Sequence, residues 1–97
     1  IEELKAKFPG VDIFTLTVKN RQEAPITIHL REMDRVTYKV VSSLIAKDEL
    51  QGVESFLRTL CVDGEVNAII NDFKALRSAA ATILPMLKTE EGELKKN

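Results

Sequence analysis

Hydrophobic residues recur every second position early in the chain and every third or fourth position later. Phe14, Leu16 and Val18 alternate with Thr15 and Thr17, and Ile26, Ile28 and Leu30 alternate with Thr27 and His29. A period of two in β-branched sequence predicts strands. The polar stretch KNRQEAP between them predicts an antiparallel hairpin with those six residues on one face. Two strands are barely stable in water, so helices must cover that face. From Val36 the spacing widens to Val40, Val41, Leu44 and Ile45, which predicts a helix over Arg35 to Lys47 with Asp34 as its N-cap. Asp48 caps the next helix, whose Leu50, Val53, Phe56, Leu57 and Leu60 form one stripe, slightly weakened by Gly52. VDGE at 62–65 reads as a turn. Beyond it Val66, Ile69, Phe73, Leu76, Ala80, Ile83 and Leu87 alternate spacings of three and four, a heptad-like seam. Asn71-Asp72 offers an alternative start for a fresh helix, and Pro85 should kink or loosen the last turns.

Ahead of the hairpin, Ile1, Leu4 and Phe8 share a face of a short helix stopped by Pro9-Gly10. So short a helix needs to dock on something. The expected fold is therefore α+β: a two-stranded antiparallel hairpin packed against about three helices, with a short N-terminal helix. Residues 1–88 form a single domain, and 89–97 a polar, frayed C-terminal tail.

Composition narrows the function. Fourteen Lys and Arg against fifteen Asp and Glu leave a net charge of −1, so no long-range field draws the 97-residue chain to nucleic acid or to an anionic membrane. One Cys and one His cannot build a disulfide framework or a Cys/His zinc site within one chain. No apolar run approaches a membrane span and no signal-peptide pattern opens the chain, so the default is a soluble cytosolic protein. Nucleotide-binding, hydrolase, zinc-protease and C-x-x-C motifs are all missing, and no cofactor is implied.

The charges Arg31, Glu32, Asp34 and Arg35 gather where strand becomes helix. An Asp–Arg group there can bind an anion, but helix capping by Asp34 and the dipole preference of Glu32 account for it more simply. His29 lies on the polar strand face with only Thr15 or Thr17 for company, poor partners for catalysis. Cys61 reads as a small hydrophobe. No catalytic or metal residues are assigned, and an enzyme is not expected. The surplus is apolar: Ile69, Phe73, Leu76 and Ile83 are the candidate protein-binding residues, chosen from periodicity, and Ala79 to Ala81 permit close helix approach within the fold or across a homo-oligomer. Ile13 on the back face of the hairpin and the open strand edges are a second candidate docking surface.

The order KAKFPGVDIFTLTV, ITIHLREMDRVTYKVV, FLRTLCVDGE resembles the small tail assembly chaperones of tailed bacteriophages and prophages. Leu30-Arg31 matches their pair at the end of the second strand, Asp34 the helix cap and Arg35 the basic residue after it, and the likeness covers roughly residues 4 to 88. The resemblance implies a non-enzymatic protein in the cytoplasm of the bacterial host cell. It would bind the tape measure protein and recruit tail-tube subunits during tail morphogenesis. The alternative is a small regulatory module that binds nucleic acid through Arg21, Arg31, Arg35 and Lys39, which salt would weaken steeply.

Overall fold

A computed structural model describes residues 2–96, with side-chain surroundings described for 2–87. The fold is α+β. In chain order come α1 (Glu2–Lys7), β1 (Ile13–Lys19), β2 (Pro25–Arg31), α2 (Arg35–Lys47), α3 (Glu49–Leu60), β3 (Cys61–Gly64), α4 (Val66–Ile70) and α5 (Phe73–Lys96). The polar tail expected at 89–97 lies outside the residues whose side chains are described.

The hairpin forms in the register that the alternation demands. Phe14 stands opposite Leu30, Leu16 opposite Ile28 and Val18 opposite Ile26. Leu16, Val18, Ile28 and Leu30 are buried against α3 and α5. The opposite face is polar, with Thr15 Oγ1 at 3.1 Å from His29 Nδ1 and Thr17 Oγ1 at 3.0 Å from Thr27 Oγ1.

Two expectations are corrected. The sheet has three strands in the order β1-β2-β3, because the segment read as a turn pairs antiparallel with the free side of β2. That pairing satisfies main-chain groups which a two-stranded hairpin would leave open. It depends on Gly64, whose φ of +107 and whose approach to Ile28 leave no room for a side chain: a Cβ would sit 2.8 Å from Ile28 Cα. The number of helices also differs, and of the two readings of the 66–87 seam the fresh start at Asn71-Asp72 is the one that forms. Asp72 accepts the Ala75 N–H at 3.0 Å and starts α5 afresh, so four helices rather than three follow the hairpin.

The other caps fall where expected. Asp34 accepts the Thr37 N–H at 2.7 Å and Asp48 the Gln51 N–H at 3.1 Å. The N-terminal helix buries none of its residues, with Leu4 and Phe8 only half-buried and Ile1 outside the described residues. Gly10, at φ +79, turns the chain from it into β1. Main-chain pairing of Glu32 N–H with Asp12 O at 2.8 Å then ties that junction to the end of β2. α5 continues past Pro85. No helix among the described residues is long and apolar enough to cross a membrane.

Candidate functional site

The sheet, α3 and α5 do not close fully at one end. A cleft of about 290 Å³ remains, floored by Leu16, Leu30, Phe56, Ile83 and Leu87 and edged by Phe14, Met33 and Met86. Each floor residue is buried. The edge is not: Phe14 is 47 % exposed and Met86 is 52 % exposed. Phe14 belongs to the apolar row of β1, but it lies at the strand's start, beyond the cover that α3 and α5 give Leu16 and Val18. Met86 follows Ile83 on α5 by three positions, close enough to share the cleft-facing side of that helix.

Thr15, Arg31, Glu32 and Thr82 supply the polar margin. Its charges are already engaged. Arg31 lies 3.8 Å from the Asp34 carboxylate, and Glu32 Oε1 accepts the Asp12 N–H at 3.2 Å. The Thr37 N–H, and then its hydroxyl, hold the Asp34 carboxyl below its ordinary range, with Arg31 adding to the effect. The charge group at the strand–helix junction is therefore a cap with an ion pair across it. Chemically the cleft offers apolar surface with a thin polar border, suited to holding an aliphatic or aromatic group. A second hollow between α2 and α3 is shallow, and of its lining Gln51, Glu54, Ser55, Arg58 and Thr59 are polar and Leu44 alone is apolar.

Phe73 stands on the surface at 65 % exposure with Arg77 stacked over its ring, 5.8 Å from the centroid. Ile69, Leu76 and Ile83 are buried. Phe73 is the first residue of α5 and stands at its exposed N-terminal end, while Ala75, Leu76, Ala79, Ala80 and Ile83 further along face inward. Ile83 reaches the cleft floor, and Ile69 sits in the core through α4.

The basic residues do not form a strip. Arg21 lies in the β1–β2 loop and Arg31 at the far end of β2, a strand of seven residues and about 20 Å away. Arg35 and Lys39 are neighbours on the exposed side of α2. His29 and Cys61 lie on opposite faces of the sheet: Cys61 pairs with Leu30 and packs against the core, where burial pushes its thiol up. His29 instead has Thr15 on one side and Asp63 on the other in strand register. This hydroxyl–imidazole–carboxylate row was hidden in sequence because Asp63 sits in a turn-like segment. The row crosses an open, water-facing sheet, without the enclosure that acyl-transfer chemistry requires.

Comparison with models of known protein families, with characterised proteins and with solved structures returned no match.

Proposed function

We propose that this protein is a non-enzymatic phage tail assembly chaperone, acting in the cytoplasm of the bacterial host. It holds apolar helical segments of the tape measure protein and presents them for tail-tube assembly. The supporting observation is the open apolar cleft with Phe14 and Met86 exposed at its edge. A groove of this kind takes the apolar face of an amphipathic helix, and methionine adapts to side chains of different shape.

The magnitudes favour weak, repeated contacts. Fully burying a large apolar side chain contributes about 1.5–3 kcal/mol, and the exposed halves of Phe14 and Met86 together amount to about one such side chain, so covering them contributes about 1.5–3 kcal/mol in total. One cleft therefore holds a client weakly. A long client with recurring apolar turns is coated by many copies, each exchanging readily.

The test is co-expression with a tape measure protein and a tail-tube protein of a tailed phage, followed by purification at low and high salt. Tape measure protein should stay bound at high salt, and the variant Phe14→Asp with Met86→Asp should lose it while keeping the wild-type circular dichroism spectrum at the binding temperature, with a lower Tm from the loss of their buried halves. Binding that washes away with salt, or that survives the double variant, would refute the cleft as the client site.

A further inference from the structure

Methionine is scarce in this chain, and both copies, Met33 and Met86, line the open cleft. Two of the four phenylalanines, Phe14 and Phe56, line it as well. The four come from β1, the β2–α2 connection, α3 and α5, so the fold and not a local repeat collects them. Phe56 lies in the buried floor, whereas Phe14 and Met86 stand about half exposed at the edge. The aliphatic part of the floor rewards any apolar group in proportion to its area. The other four side chains discriminate. A thioether is polarizable and gains a further contact at the edge of an aromatic ring, and a phenylalanine ring gains one with a second ring set offset or edge-on. An aliphatic side chain collects neither.

Size and charge narrow the occupant further. Sites for whole drug-sized ligands span about 300–1,000 Å³, and this cleft, at about 290 Å³, lies just below that range. It has room for one large side chain, not for a helix or the length of an acyl chain. The two charges of its margin already have partners within the protein. Arg31 lies 3.8 Å from the Asp34 carboxylate, and Glu32 Oε1 accepts the Asp12 N–H at 3.2 Å. An ionised group on the client would enter this apolar floor unpaired, at a cost that one side chain's burial does not offset. The complementary group is neutral.

We infer that the cleft reads an aromatic anchor: one uncharged phenyl ring of the client, inserted among Phe14, Met33, Phe56 and Met86, with the rest of the client helix lying across the edge. The assignment rests on the cleft being the client site, and it adds which side chain of the client enters.

The test uses the intact chain with isotope-labelled methionine methyls, and an alanine-based helical peptide carrying a single guest residue. The guest is phenylalanine, cyclohexylalanine or leucine. Cyclohexylalanine keeps the carbon skeleton of the ring without its π electrons, so burial alone ranks it at least equal to phenylalanine. NMR titration reads millimolar binding, and the Met33 and Met86 methyl signals report from inside the cleft. The phenylalanine peptide should bind about fivefold more tightly than either of the others, a factor set by one ring pair and one sulfur contact. Its ring current should also shift both methyl signals. Equal or tighter binding of the cyclohexylalanine or leucine peptide, with the same methyls perturbed, overturns the aromatic anchor and leaves the cleft as an apolar client site. If no peptide perturbs either methyl, the anchor and the client cleft fall together.

Discussion

Replacing Gly52 by Ala sets two rules against each other. Inside a helix, alanine is favoured over glycine by about 1 kcal/mol, so propensity alone makes Gly52→Ala stabilising. Gly52, however, sits in α3 where α2 crosses it. A Cβ there would lie 2.7 Å from the Ile45 main-chain nitrogen and 2.9 Å from its Cα, and would also overlap the Ile45 side chain. A side chain can rotate away from such a clash, but the main chain of a neighbouring helix cannot. The helices must separate, and α2 has no broad packing except on α3. A gap of roughly 0.5–1 Å already forfeits a quarter to a half of each dispersion contact, and overpacking of this kind costs about 1–3 kcal/mol or more. Contacts under 3 Å with main-chain atoms place that cost in the upper part of the range, about 2–3 kcal/mol, so after the propensity gain a net loss of about 1–2 kcal/mol and a Tm lower by about 5–15 °C remain at this chain length. Urea denaturation should show a lower midpoint with an unchanged slope. A variant as stable as wild type, or more so, would refute the close crossing of α2 and α3.

The surface position of Phe73 predicts that Phe73→Asp leaves the fold intact, within about 0.5 kcal/mol of wild type, since an acidic residue also suits a helix N-terminus. Leu76→Asp, three positions on and buried, should unfold the domain; the pair is compared by circular dichroism and thermal melting. Acid should act through the caps. Asp34 and Asp72 both have carboxyls held below the ordinary value of 3.8, by the Thr37 and Ala75 N–H groups respectively, so what they contribute is fully present above that value and is lost as pH falls through the depressed folded value. Asp34→Asn with Asp72→Asn should be less stable than wild type at neutral pH, and the difference in urea midpoint should shrink on acidification; a constant difference would mean that the charges do not act through the caps.

The parts of the fold that depend on short-range pattern could be read before the structure. The two long strands follow from the alternation of Phe14 to Val18 and Ile26 to Leu30, and α2 and α3 begin at Asp34 and Asp48, whose capping chemistry is local. What was missed depends on residues meeting across the chain. Val62-Asp63-Gly64 has the composition of a turn and becomes a strand only because β2 offers a free side. Gly52 reads as a weak spot in a helix until Ile45 is seen against it. Phe73 keeps the 3–4 spacing of the seam, but it is the first residue of α5, at the exposed end of that helix, which spacing alone does not show. The cleft was the least legible feature. Phe14, Met33, Phe56 and Met86 come from a strand, a connection and two helices, and no local period collects them.

The tip of the β1–β2 loop is held by the same carboxylate that begins α5. Asp72 Oδ1 takes the Ala75 N–H, while Oδ2 takes the Arg21 N–H at 3.2 Å, and Glu23 forms an ion pair with Lys74 beside it. Exposed hairpin tips are the usual choice for epitope tags, fluorophores or circular permutation, because they tolerate insertion. Here an insertion between Arg21 and Glu23 would uncouple the loop from the helix that covers the sheet, so a label placed at this tip would report on a molecule it had already loosened.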